Sequence, residues 1–306
     1  MDNALMPSAR LRLSPLIKRF LHWGGSILAL AGVVFVAFRL HSYWIQLDIS
    51  KITPSAWCLV ALLALIYGSA NFFLSAAWWR LLRYLGTFIT LAGAIRIYGI
   101  SQLAKYLPGN IFHLAGRQAL GMAAGIPSLV LAKSTIWELS AFVIAGSLFA
   151  WLILPLILPG FPEAASVLLL VGSATVLALF LRRIIGPQPM WSFVYQLFFL
   201  VISGMVFVAL LVLIRNGKGF AFQECLLIGG AYILAWLVGL VTPGAPAGVG
   251  VREMILLLLL KGLVAEMDLL MAVLLGRLVT VIGDLLFFVA TSLIPNKLCF
   301  LEKNNA

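Results

Sequence analysis

The sequence predicts an all-α polytopic membrane protein, on three observations. First, the 306 residues are 63% hydrophobic and only 10% charged, with a mean hydropathy of +1.11; a soluble domain of that make-up would leave too much apolar surface in water. Second, several stretches reach the roughly 20 apolar residues that cross a bilayer. Third, lysine and arginine collect in the short segments between those stretches, as membrane topology arranges them. These loops take up much of the net charge of +11. A nucleic-acid partner would need a basic soluble domain, and the chain has no room for one.

The elements follow in order. Arg10, Arg12, Lys18 and Arg19 precede an apolar stretch at 21–40, which no small-residue cleavage site follows; this reads as a retained signal anchor with a cytoplasmic N-terminus. A second span, 57–77, returns to a loop carrying Arg80, Arg83 and Arg96, with Trp78-Trp79-Arg80 as an interfacial anchor. The moderately apolar stretch 91–105 leads into a Pro-Gly break, and 110–126 leaves it. A third span, 127–154, is interrupted by Lys133 and Glu138, and 155–163 has no lysine or arginine and reads as external. The span 164–181 ends at Arg182-Arg183, a cytoplasmic marker. The span 191–214 is followed by Arg215 and Lys218, the one conflict with the positive-inside rule. A stretch at 224–241 leads to a second break, 254–260 is short and intensely apolar, and 269–294 is the last span, with Lys297 and Lys303 on a cytoplasmic tail.

Parity of these loops requires 91–126 to enter and leave on the cytoplasmic side, and 224–264 to enter and leave outside. The expectation is therefore a single integral membrane domain, 1–306, of about six full spans plus two opposed re-entrant Pro-Gly hairpins, or eight spans. Opposed hairpins are the arrangement of an inverted repeat, in which substrate sites fall at the repeat interface.

The two breaks carry the candidate chemistry. Pro108-Gly109 and Pro243-Gly244 must leave helical geometry, since proline lacks a backbone donor and glycine weakens a helix. Each proline is followed nine positions later by an arginine, Arg117 or Arg252. Backbone of this kind at membrane depth survives only inside protein or beside water, and an intramembrane arginine is a candidate functional residue. A guanidinium binds phosphate through a bidentate fork, so Arg117 and Arg252 are candidates for holding a lipid phosphate; satisfying the free carbonyls of their own breaks is the alternative. His113, four residues before Arg117, would add a donor. Lys105 and Tyr106 would tether a headgroup or anchor the hairpin. Glu138 and Glu253 are charge partners for the arginines, while Arg277 and Asp284, seven apart on the last span, read as a static internal ion pair. Gly116, Gly248 and Gly250, with the two Pro-Gly glycines, are assigned to backbone geometry. Cys58, Cys225 and Cys299 are far apart, as are His22, His41 and His113, so neither a metal site nor a cofactor is expected.

The stretch Ser101-Gln102-Leu103-Ala104-Lys105-Tyr106-Leu107-Pro108-Gly109, followed by Gly116-Arg117, resembles the first signature of the lysylphosphatidylglycerol synthase transmembrane (flippase-like) family. Pro243-Gly244 followed by Gly248-Val249-Gly250-Val251-Arg252-Glu253 resembles the second, with Pro246-Ala247 departing from its glycine-rich pattern. The resemblance implies a bacterial inner-membrane protein that moves a phosphate-bearing lipid between leaflets: an aminoacyl-phosphatidylglycerol, another phospholipid or a polyprenyl-phosphate-linked sugar. The soluble aminoacyl-transferase domain of bifunctional members is not found after the last span. Its partners would be membrane lipids and a separate lipid- or glycan-synthesis enzyme. No nucleotide-binding motif occurs, so movement is expected to be driven by a gradient or to run downhill. Two rival classes remain: a membrane transferase on lipid-linked substrates, for which Glu163, Glu224 or Glu266 would supply a base, and a non-catalytic partner in a synthesis complex.

Overall fold

A computed structural model describes residues 54–107, 111–242 and 250–295, together with His41 and Ile45. The expected span at 21–40 and the residues Pro108, Gly109, Pro243, Gly244 and Gly248 lie outside the described residues. Within them every element is helical: α1 (Pro54–Tyr84), α2 (Leu91–Gln102), a 3-10 turn (Leu103–Tyr106), α3 (Phe112–Ala123), α4 (Ser128–Leu148), a second 3-10 turn (Phe149–Ile153), α5 (Leu154–Ile157), α6 (Glu163–Phe180), α7 (Pro187–Ile214), α8 (Phe222–Val241), α9 (Val251–Leu259) and α10 (Glu266–Ser292). The second 3-10 turn has a local cause. Pro155 cannot donate to the carbonyl four residues back and its ring crowds it, so the winding tightens just upstream.

Six helices are long and apolar enough to cross a membrane: Ala56–Tyr84, Ser128–Ile157, Glu163–Ile185, Pro187–Ile214, Phe222–Val241 and Glu266–Ser292. The chain is a multi-pass membrane protein. Large apolar side chains such as Leu168 and Ile136 stand 72% and 65% exposed on it, a surface that suits lipid and not water. Five of these helices match expected spans. The sixth, α8, was expected as the arm of a hairpin, yet at 20 residues it is about 30 Å long. The two breaks are therefore flanked unequally: α2 and α3 have 12 residues each, about 18 Å, whereas α8 is followed by an α9 of only nine.

Core and periphery divide cleanly. The spanning window of α10 is 61% buried and that of α6 only 6%, so α10 runs through the bundle and α6 lies against its edge. Around α10 pack α1, α2, α7 and α9, and α8 joins through α7 and the second 3-10 turn. Small residues let the backbones close up, as they do between membrane helices. A Cβ on Gly283 would sit 2.7 Å from the Ala64 carbonyl oxygen and 2.9 Å from the Gly68 nitrogen. Gly283→Ala is accordingly expected to push α1 from α10 and cost about 1–3 kcal/mol, the usual range for overpacking. Gly276→Ala on the same helix would meet only side-chain carbons at 3.6 Å and beyond and should melt close to wild type in detergent. Equal melting of the two variants would show that the contact can relax.

One expectation about the interface is corrected. Trp78 was read with Trp79 and Arg80 as an anchor at headgroup level, but its side chain is fully buried and its Nε1 donates to Ser134 Oγ at 3.0 Å. Trp79 and Arg80 are half-buried: Trp79 donates to the Ile89 carbonyl, and Arg80 lies over the Trp79 ring and donates to Gln188.

Candidate functional site

Tyr67, Glu138, Phe199 and Arg277 lie near the middles of α1, α4, α7 and α10. All four line one cavity of about 120 Å³. Its polar wall brings together Lys105, Tyr106, His113, Arg117, Arg252 and Arg277, residues up to 172 positions apart in the chain, with Glu138 among them. Leu74, Phe142, Phe199 and Trp236 supply an apolar wall, in which Phe142, Phe199 and Trp236 contact one another with centroids 5.5 to 6.4 Å apart. The cavity thus joins a cluster of cations to an oily aromatic face.

Three ion pairs hold the cluster. Arg117 and Glu138, 2% and 3% exposed, pair through Nη1 and Oε2. The guanidinium lies 3.8 Å from the centroid of Tyr98 and 5.5 Å from that of Trp78, and the Tyr98 hydroxyl donates to the other oxygen of Glu138 at 2.9 Å. A charge inside a membrane bundle needs such partners, because the alternative is a bare ion in a low dielectric. Lys105 Nζ lies 2.6 Å from Asp284 Oδ2. The Tyr106 hydroxyl donates to that same oxygen, and Asn71 Nδ2 donates to Oδ1 at 3.2 Å. Gln102 in turn donates to Asn71 Oδ1, so Asp284 ends a short chain of buried amides. Arg277 donates to Glu253 Oε1 from Nε at 2.9 Å and from Nη2 at 2.6 Å.

Arg252 differs from the other cations. Among the described residues no carboxylate pairs with it; its guanidinium lies 5.6 Å from the centroid of Tyr232, and its buried Nε has no hydrogen-bond partner. Glu253 was expected to balance it and does not. Neighbours on a helix point about 100° apart, and both oxygens of Glu253 are committed, Oε1 to Arg277 and Oε2 to the amide of Gly250 at 2.8 Å. That amide opens α9 from a backbone with φ of 84°, a conformation glycine adopts without a Cβ penalty. The assignment of Gly250 to backbone geometry agrees with this.

The internal pair expected within α10 is also corrected: Arg277 is bound to α9 and Asp284 to the first 3-10 turn and α1. Seven residues of helix hold the two side chains apart by roughly 10 Å of rise, and each finds a closer partner on a neighbouring element. Arg117 and Arg252, matched in spacing from their prolines, are not matched on their helices, since Arg117 lies in the second turn of α3 and Arg252 in the first turn of α9. They nonetheless reach the same cavity. His113 lines it too, with its buried Nδ1 unpartnered.

Sequence reasoning weighed charges and so missed Asn71, Tyr98, Gln102 and Gln196, whose Nε2 donates to the backbone carbonyl of Glu138 at 3.2 Å. The signal was present, since an amide side chain inside an apolar span is itself costly and implies a partner. Compared with family models, curated proteins and solved structures, the chain matches none.

Proposed function

We propose that the protein is a lipid translocase-like membrane protein of the lysylphosphatidylglycerol synthase transmembrane type, and that its cavity receives the phosphate-bearing headgroup of an anionic or zwitterionic lipid. One observation carries this reading: Lys105, Arg117, Arg252 and Arg277 converge on a cavity with an aromatic wall, and their three carboxylates leave Arg252 unmatched. An excess guanidinium in a water-poor site is matched by a phosphodiester, which it can grip through two oxygens. The apolar wall suits the adjoining glycerol and acyl carbons. A transferase base is not favoured by Glu224, whose carboxylate caps α8 by accepting from the Ala221 amide.

The short arms of the first break support its reading as a re-entrant hairpin, and the opposed hairpin and inverted repeat remain part of this proposal. A cytoplasmic face is supported by the company its arginines keep. Arg80 reaches Gln188, just after Arg182 and Arg183, and Arg96 donates to the carbonyls of Ser292, the last residue of α10, and of Ile294 just beyond it. Placement in the bacterial inner membrane rests on the family resemblance, and cytoplasmic termini on the positive-inside pattern of the loops. Single cysteines placed at 86–90 should resist impermeant label applied outside, and those at 265–268 should resist label from the cytoplasm; the reverse pattern would sink the topology.

Function is tested by reconstitution in liposomes containing a fluorescent phosphatidylglycerol, with dithionite quenching of the outer leaflet. The protein should accelerate loss of the protected signal, and combined substitution of Arg117→Ala and Arg252→Ala should abolish the acceleration. Exchange that survives both changes would refute the site, and no exchange of any anionic lipid would favour a non-catalytic partner role.

A further inference from the structure

The three ion pairs around the cavity are not equally fixed. Arg117 is wedged between two rings while it holds Glu138. Arg277 grips Glu253 with two nitrogens. Lys105 alone is a point charge on a flexible stem, 20% exposed, with its ammonium on a carboxylate that is completely buried. An ammonium of this kind can turn from one anion to another by rotating its methylenes, whereas a stacked or forked guanidinium cannot.

Asp284 is equally suited to the other half of an exchange. Its deprotonated form accepts from Lys105, Tyr106 and Asn71. Its protonated form needs no cation: Asn71 still donates to Oδ1, and a proton on Oδ2 can be donated to the Tyr106 oxygen. Removing Lys105 without supplying that proton would leave a buried carboxylate with no cation, held only by the neutral donors Tyr106 and Asn71, which a dry interior disfavours.

We infer that Asp284 is a proton-binding site that governs how much positive charge the cavity offers an anion. Deprotonated, it holds Lys105, and Arg252 is the cation left without a carboxylate. Protonated, it releases Lys105 to join Arg252. By linkage, an anion that engages Lys105 draws one proton onto Asp284. The step balances, because one anion and one proton arrive together and the net charge of the site is unchanged. The groups facing Asp284 are Lys105 and Tyr106 of the first 3-10 turn and Tyr67 and Asn71 of α1; Arg277, about two turns away on α10, is bound to Glu253. His113 and Glu138 line the same cavity and are the rival proton acceptors. This inference rests on the proposed anion site and adds to it a driving ion.

The test uses the full-length protein in detergent and dihexanoyl-phosphatidylglycerol, a soluble phosphodiester that stays a monoanion across the working range. A phosphomonoester would itself titrate near pH 6. Calorimetric titration in two buffers of different ionisation enthalpy gives the protons taken up per lipid bound, and needs no variant. Uptake approaching one proton is expected at the alkaline end, with affinity falling towards about tenfold per pH unit there. Asp284→Asn should take up none and should bind more tightly than wild type at high pH, since Lys105 is permanently released; a purely structural Asp284 would instead bind less. His113→Gln and Glu138→Gln should keep the uptake. Binding without proton uptake at any pH overturns the inference and leaves the anion site standing, as does uptake lost in His113→Gln or Glu138→Gln but kept in Asp284→Asn. No binding at all overturns the anion site, and the inference with it.

Discussion

Arg117→Ala is expected to destabilise the protein by about 3–5 kcal/mol, the range for removing one partner of a buried ion pair. The cost would not come from a lost attraction alone. Glu138 would stay behind, 3% exposed, with Tyr98 as its one remaining side-chain donor, and the cation over Tyr98 and Trp78 would be replaced by a void. Equilibrium unfolding in mixed micelles reads the effect directly. Arg117→Met combined with Glu138→Leu should recover most of the loss, because a buried pair is often no more stable than packed apolar side chains of similar volume. That double variant should fold and yet move no lipid, which separates scaffold from function. Wild-type stability of Arg117→Ala alone would mean that water or another group reaches Glu138.

Arg252→Ala is expected to do the opposite. No carboxylate among the described residues depends on it, so the loss of stability should be confined to its contact with Tyr232, about 0.5–1 kcal/mol. Leaflet exchange, by contrast, should fall about 10- to 100-fold, the equivalent of one hydrogen bond to a charged group. Arg252→Lys should restore part of it, supplying the charge without the fork. The paired outcome is the diagnostic one: Arg117→Ala unfolds more easily, whereas Arg252→Ala stays folded and is slow. An Arg252→Ala protein that exchanges lipid at the wild-type rate would remove this residue from the phosphate.

The helical, multi-pass character of the chain was legible because it rests on composition and length, which neighbours cannot overrule. The residues of the cavity were legible for a related reason. A charge within an apolar span is expensive enough to need a purpose, and Lys105, His113, Arg117, Glu138, Arg252 and Arg277 all reach one space. Which charge meets which was not legible. Glu253 follows Arg252 in the chain but faces Arg277, and Asp284 ignores Arg277 on its own helix for Lys105. Partner choice is set by how α9, α10 and the first 3-10 turn cross, and a linear pattern holds no crossing angles. Trp78 failed for the same reason: its amphipathic ring suits an interface or a buried hydroxyl equally, and Ser134 decided it.

The backbone contact between Gly68 and Gly283 does more than tighten a packing seam. Gly99 packs directly on the Thr291 side chain, and Arg96 ties the middle of α2 to the end of α10. With backbone against backbone between α1 and α10, and only the short Thr291 side chain between α2 and α10, the three helices have little room to slide and form a keel. Lys105 and Asp284 are held along that keel, while Glu138, Trp236 and Arg252 stand on α4, α8 and α9. Any widening of the cavity for a headgroup falls to α4, α8 and α9, and would have to part the bonds that tie α4 and α9 to the keel, Tyr98–Glu138 and Arg277–Glu253.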